Sequence, residues 1–268
     1  MEQWKGCNAI VTGAASGIGA ATTIKLIKNG INVIALDLNL EKLKELECFI
    51  KSNLDIQKYG IIHSKKCDIT DELAVKNIFS WIDSTLGGVS ILINNAGIIM
   101  QTSLLDGKLS DWELFMKINV LAQCVCSREA FQSMSKNNTN GHIVQINSIT
   151  GHNITPYFGH KMYNATKRAI TTLCEGLRHE INLVNSKIKI SSISPGSVNT
   201  DLFKTANFKP SDQIKNKVPI QPLDPKDIAD AIITVLSTSP NVQIAELIII
   251  PTGSTIQPHC APSLNKEL

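Results

Sequence analysis

Thr12-Gly13-Ala14-Ala15-Ser16-Gly17-Ile18-Gly19 follows a short apolar run, Cys7 to Val11, and opens an amphipathic stretch. A strand that ends in glycines and turns into a helix offers backbone N–H groups and the positive end of the helix dipole to a pyrophosphate, with no side chain in the way. Gly13 suits the tight turn, Gly17 allows close approach by a ligand, and Gly19 lets the helix lie against the strand. Ser16 and Ile18 fall within the same cradle. Glycine-rich turns often do no more than break structure, so the weight of this one depends on the rest of the chain.

Strand and helix signals alternate downstream. Helical periods run from about Gly17 to Asn29, Leu40 to Ser52, Asp71 to Leu86, Ser110 to Gln132, Lys161 to Val184 and Asp227 to Ser237. Between them lie apolar runs at Ile31 to Leu36, Gly60 to Ser64, Val89 to Ile93, Ile143 to Ile146, Ile188 to Ile193 and Ile244 to Ile250, with Gly30 placed as a helix stop. With the first strand, that makes seven runs of mostly uninterrupted Val, Ile and Leu. A parallel sheet buried on both faces requires such runs. The expected fold is a single-domain, Rossmann-like α/β structure over residues 1–268: a doubly wound sheet of seven mostly parallel strands with helices on both faces. Ligands of such sheets bind outside the C-terminal strand ends, where strand order reverses. Residues 198–225 form the one long irregular stretch and are expected to cover the substrate site.

Composition narrows the class. In 268 residues, 43% are hydrophobic and 18% charged, and the net charge is +3, with lysines scattered rather than clustered. That argues against nucleic acid as a partner. No run reaches the roughly 18 apolar residues that span a bilayer, and Met1-Glu2-Gln3-Trp4-Lys5 lacks a signal-peptide core, so a cytoplasmic protein is expected. Seven cysteines without a Cys-x-x-Cys pair read as small hydrophobes or free thiols, and no cluster reads as a metal site.

Asp37 ends the second strand about 20 residues beyond the glycine turn, where a carboxylate can accept both hydroxyls of an adenosine ribose. Leu38 stands where an arginine would pair with a 2′-phosphate. A phosphate beside Asp37 is repelled by about 4 kcal/mol per unit-charge pair at close range and intermediate dielectric, so NAD is preferred over NADP. The other reading makes Asp37 a cap for the helix from Leu40. Asp68, followed by Ile69, either accepts from the adenine amino group or belongs to a turn with Thr70 and Asp71. Asn94-Asn95-Ala96-Gly97 ends the fourth strand, where two amides and two small residues can line a cofactor.

Tyr163 and Lys167 lie four apart on a predicted helix and project from one face, one turn apart. Bringing a phenol from about 10 to neutrality takes roughly 4 kcal/mol of differential stabilisation, which a positive charge a few ångströms away supplies at an effective dielectric near 20. Lys167, aided by a cationic nicotinamide, is therefore expected to acidify Tyr163. Ser148 ends an apolar strand at the ligand edge and is either a hydrogen-bond donor to the substrate oxygen or a turn residue.

These residues together resemble the short-chain dehydrogenase/reductase family over nearly the whole chain. The carriers are Thr12 to Gly19, Asp68, Asn94 to Gly97, Asn119, Ser148, Tyr163 with Lys167, and Pro195-Gly196 followed by Thr200. The resemblance implies that Asn119 helps hold a water linking Lys167 to solvent and that Lys167 binds the nicotinamide ribose. It also implies that Pro195, Gly196, Val198 and Thr200 contact the nicotinamide end, and that the helices from Ser110 and Lys161 build a homodimer or homotetramer. Asn147 to His152, Glu175 to Arg178 and Ile193 to Gly196 are similar to the branch containing insect farnesol dehydrogenases and a mammalian carbonyl and ketosteroid reductase. Members of that branch often carry a basic residue after the second strand and use NADP, whereas this chain has Asp37-Leu38.

Ile98, Ile99, Met100, Ile149, Tyr157, Phe158, Met162, Phe203 and Phe208 fall on segments near the strand ends and point to an apolar pocket. The expected activity is hydride transfer between NAD and a hydrophobic alcohol or ketone, farnesol-like or medium-chain. An NADPH-dependent carbonyl or ketosteroid reductase is the alternative, and a non-catalytic nucleotide sensor the alternative of another class. His152 and His160 either touch substrate or are solvated.

Overall fold

The computed structural model describes residues 1–54, 59–154, 159–202 and 221–254. Seven strands form one sheet: β1 (Asn8–Thr12), β2 (Asn32–Asp37), β3 (Ile62–Lys66), β4 (Ile91–Asn94), β5 (His142–Ile146), β6 (Lys189–Pro195) and β7 (Glu246–Ile249). Their order is β3-β2-β1-β4-β5-β6-β7, and every pairing is parallel. The helices are α1 (Gly17–Lys28), α2 (Leu40–Asn53), α3 (Glu72–Leu86), α4 (Leu109–Met116), α5 (Ala122–Lys136), α6 (Lys161–Leu183) and α7 (Pro225–Leu236).

The uninterrupted strands are explained by burial from both sides. Leu26 and Ile27 of α1, Leu43 and Ile50 of α2, and Ile232 and Val235 of α7 cover one face. Phe79 and Ile82 of α3, Cys126 and Met134 of α5, and Ile170 and Ile181 of α6 cover the other. Each such fully buried side chain contributes about 1.5–3 kcal/mol of transfer free energy. The chain winds outward from β1 to β3, then returns to lay β4 on the other flank of β1. The crevice between the C-terminal ends of β1 and β4 is therefore the switch point, and the glycine turn and Asn95–Gly97 sit there. Among the described residues, no helix is long and apolar enough to cross a membrane.

Two elements depart from the sequence expectation. β3 runs two residues further than the apolar run, to Lys66, because it is the sheet edge and its last residues are partly exposed. The long helix expected from Ser110 is interrupted: α4 and α5 are joined by a π-helical turn, Lys117–Leu121, that contains Asn119. The cysteine reading fits, since Cys67, Cys126 and Cys174 are buried, and burial pushes their thiols up to about 11, 12 and 12.

His142, wholly buried at the start of β5, gives the fold a defined acid sensitivity. Ser191 donates its hydroxyl hydrogen to the Ile244 carbonyl (2.6 Å), so the 2.8 Å contact between His142 Nε2 and Ser191 Oγ assigns an Nε2–H donor. Burial, then the Lys189 charge, holds this imidazole down at about 3. The unfolded chain binds a proton near pH 6.5 that the folded chain refuses until about pH 3. Stability is thus lost as pH falls through that window, at about 1.4 kcal/mol per unit. Urea unfolding of His142→Gln from pH 6 to 4 is expected to show a shallower fall than the parent. Equal slopes would place the sensitivity elsewhere.

Candidate active site

The glycine turn is built by close backbone contact. Gly13 and Gly17 have φ of +63° and +51°, the left-handed region that side chains disfavour. A Cβ on Gly19 would lie 2.1 Å from the Gly13 carbonyl oxygen, so α1 leans on the turn itself. Thr12, the first residue of the glycine motif, anchors the facing wall: its hydroxyl accepts from the backbone N–H groups of Asn95 and Ala96, both at 3.0 Å. Asn95 returns its amide to the carbonyls of Thr12 (2.9 Å) and Gly13 (3.1 Å), so it braces the cradle. Asn94 turns the other way, donating to Gln123 O and Ser127 Oγ.

The first turn of α1 retains its donors. Ser16 at its N-cap makes no side-chain cap, as at the starts of α4 and α6, whereas Asn39, Asp71 and Asp224 cap α2, α3 and α7 with their side chains. Together with the space that only glycine leaves over the turn, this fits a pyrophosphate at the end of α1. Asp37 lies against the cradle: Oδ2 accepts from Ala15 N (3.0 Å) and Oδ1 from Asn39 N (2.9 Å). The cap of α2 is Asn39, which accepts from Lys42 N, so capping does not account for Asp37. Leu38 beside it is exposed. Asp68 makes the turn: Oδ1 accepts from Thr70 N and Thr70 Oγ1, and these bonds hold its carboxyl below the ordinary range. Ile69 points into the core.

β6 ends at Pro195, and Gly196 after it donates to the Ile249 carbonyl (2.7 Å). Val198 is buried and pairs with Leu223, so the two described ends of the 198–225 stretch are pinned together. Residues 203–220 of that stretch, with Phe203 and Phe208, lie outside the described residues, as do Tyr157 and Phe158. Thr200 reaches the glycine turn, its Cγ2 lying 3.0 Å from where a Gly17 Cβ would stand.

Ser148, Tyr163 and Lys167 come together at the end of β5. Tyr163, in the first turn of α6, is hydrogen-bonded to Ser148. Lys167 Nζ stands 5.8 Å from the Tyr163 ring centre and donates to the Ile146 carbonyl (2.8 Å). The charge effect expected of Lys167 and a bound nicotinamide is set against the cost of burial. Burial pushes Tyr163 up to about 12, only partly opposed by the Ser148 hydrogen bond, and the same burial brings Lys167 down to about 8. Desolvation penalises both charged forms.

Asn119 is fully buried and occupied on both sides of its amide. Oδ1 accepts from Ile98 N (2.8 Å), and Nδ2 donates to Ile98 O (2.9 Å) and Thr166 Oγ1 (3.2 Å). Thr166 in turn donates to the Tyr163 carbonyl (2.8 Å), which links the π turn to the helix that carries the phenol. Thr166 escapes a reading of the sequence. Its signal is a threonine inside a helix, able to return its hydroxyl to the preceding turn. The Tyr163 ring packs with Ile99 and Phe115 in a small apolar cluster flanked by Ile98, Met100 and Met162. His160 is buried, which holds its ring below the usual histidine range.

A cradle at the switch point, with a buried serine, tyrosine and lysine gathered at the end of β5, defines a dinucleotide-binding α/β oxidoreductase. The chain belongs to the short-chain dehydrogenase/reductase family: the family's model, described as short chain dehydrogenase, matches residues 7–210. The chain is 38% identical to farnesol dehydrogenase of Aedes aegypti, over 94% of this chain and 99% of that one. It is 39% identical to dehydrogenase/reductase SDR family member 11 of Mus musculus, over 94% and 96%. Among solved structures, a serine dehydrogenase complexed with NADP+ superposes with a TM-score of 0.79 at 25% identity, covering 97% of this chain and 100% of that one. A metagenomic short-chain oxidoreductase in complex with NADP gives 0.75 at 25% identity, over 93% and 98%.

Proposed function

We propose that the protein transfers a hydride between NAD and a hydrophobic alcohol or its carbonyl, a farnesol-like or medium-chain compound being favoured. The observation that carries this is the buried Ser148–Tyr163 hydrogen bond, with the tyrosine ring set in the apolar cluster of Ile99 and Phe115. The bound nicotinamide supplies the hydride acceptor or donor. Tyr163 Oη exchanges the proton with the substrate oxygen, Ser148 Oγ hydrogen-bonds the same oxygen, and Lys167 holds positive charge beneath the ring. Asn119 and Thr166 hold α6 at its distance from the crevice. The first-turn N–H groups of α1 take the pyrophosphate and Asp37 takes the ribose hydroxyls. Exposed apolar residues on α4, the π turn and α6, among them Leu114, Leu121 and Leu173, support self-association of the chain through these helices.

The alternative, an NADPH-dependent carbonyl reductase, is favoured by the NADP carried by two of the superposable structures. Initial rates with NAD and NADP against farnesol, medium-chain and steroid alcohols separate the two. Preference for NAD is expected, and Asp37→Ser is expected to shift the NAD-to-NADP ratio of kcat/KM by about tenfold or more toward NADP. A wild-type preference for NADP would overturn the assignment of Asp37.

A further inference from the structure

His152 closes the turn that begins at Ser148, and its half-buried side chain turns toward β6 and β7. Its Nε2 lies 3.0 Å from Ser194 Oγ on β6 and 3.2 Å from Glu246 Oε1 at the start of β7. The backbone of the same turn is fastened to α6: Arg168 donates to the carbonyls of Gly151 (2.9 Å) and His152 (3.3 Å), and Thr171 Oγ1 donates to Gly151 O (3.1 Å). Gly151 is the residue that permits this approach, since a Cβ there would meet Asn147, Thr171 and Lys167 at under 3.0 Å. The turn is therefore held by its main chain to the helix bearing Tyr163 and Lys167, and by the imidazole to the two strands beyond. Ser194 directly precedes the Pro195-Gly196 turn, from which the chain runs on to Thr200 at the glycine cradle.

We propose that His152 is a positioning residue, holding the Ser148 turn in register with the Pro195-Gly196 turn through its paired contacts with Ser194 and Glu246. The inference rests on the hydride-transfer reading and deepens it. Ser148 serves the reaction only if its hydroxyl stays within hydrogen-bond reach of both Tyr163 and the substrate oxygen, and displacement by a fraction of an ångström suffices to slow such chemistry. The imidazole's own contacts are with Ser194 and Glu246. The effect passes through the geometry of residues 148–152.

The test is a set of variants: His152→Ala, Glu246→Gln, the double substitution and His152→Gln. Glutamine places an amide N–H near the position of Nε2 and an acceptor oxygen beside it, so it can serve both partners. Expected are a fall in kcat of about tenfold for His152→Ala and Glu246→Gln, an equal and not multiplied fall in the double variant, and recovery in His152→Gln. KM for the alcohol and the Kd for NAD should stay within about threefold, because the cradle is untouched. A His152→Ala enzyme with wild-type kcat, even if its Tm drops, overturns the proposal, as do multiplicative losses in the double variant. Hydrogen exchange gives the arm independent of turnover: amides of 149–153 and those of Ser194 and Gly196 are expected to lose protection together in His152→Ala. Unchanged protection overturns the proposal. A wild-type protein that turns over no alcohol or ketone defeats the hydride-transfer reading, and the exchange result then decides the positioning role by itself.

Discussion

Tyr163→Phe is expected to lower the rate of nicotinamide reduction by about a thousandfold while leaving the fold intact. The phenyl ring keeps its place against Ile99 and Phe115, so the change removes one hydroxyl and one hydrogen bond to Ser148. A single neutral hydrogen bond is worth about 1 kcal/mol of stability, partly returned by burying a less polar ring, so Tm should move little. General acid–base catalysis by a positioned group contributes about 10²–10⁴ in rate, all of it lost with the oxygen. The pH dependence has a sign set by burial. Tyr163 is held up at about 12 and Lys167 down at about 8, so the pair surrenders its first proton near pH 8. A phenolate beside an ammonium and a phenol beside an amine differ only in where the remaining proton sits, and the titration belongs to the pair. Alcohol oxidation needs the pair with one proton removed, so kcat/KM is expected to rise through about pH 8 in the parent and to lose that rise in Tyr163→Phe. Initial-rate assays from pH 6 to 10, with Kd for NAD measured calorimetrically, check both. A variant retaining a tenth of the parent rate would remove Tyr163 from the chemistry.

Much of this site is legible in the sequence because its signals are local. Gly13, Gly17 and Gly19 announce a turn whose backbone must come close, and the structure places them where φ and contact distances exclude other side chains. The spacing of Tyr163 and Lys167 is one helical turn, and Ser148 follows an apolar strand, so their convergence needs only the parallel order of β4, β5 and β6. The features that escape are set by tertiary environment. The π turn around Asn119 adds one residue to a helix without breaking its apolar face, and a periodicity of 3.6 does not register it. The raised phenol of Tyr163 follows from burial, which a count of nearby charges in sequence omits. The position of Asp37 after β2 assigns it to the ribose, but its bond to Ala15 N, which fastens the carboxylate to the cradle, depends on strand register. His152 reads from sequence as solvated or substrate-facing, because its partners Ser194 and Glu246 are 42 and 94 residues away.

Gly19→Ala is expected to cost both stability and nucleotide binding, and more than its single methyl group implies. The added Cβ would stand 2.1 Å from the Gly13 carbonyl oxygen and 2.7 Å from Asn95 Nδ2. The nearest atom is backbone at a turn whose φ of +63° leaves little room to give, so the start of α1 must move off the cradle. That movement pulls Asn95 from the carbonyls of Thr12 and Gly13, and it shifts the first-turn N–H groups away from the phosphate position. Overpacking at a constrained site costs about 1–3 kcal/mol, and the affinity for NAD should fall by about a hundredfold, since oriented N–H donors and the helix dipole are both displaced. Gly176→Ala supplies the contrast. Gly176 lies in the interior of α6 with no atom within 4 Å of an added Cβ, so alanine there should raise stability by about 0.5–1 kcal/mol through helix propensity alone. Urea denaturation and calorimetric titration of NAD on both variants read the two effects separately. If Gly19→Ala binds NAD with parent affinity, the donors of α1 are not what holds the nucleotide, whatever the stability change, because the substitution cannot be accommodated without moving them.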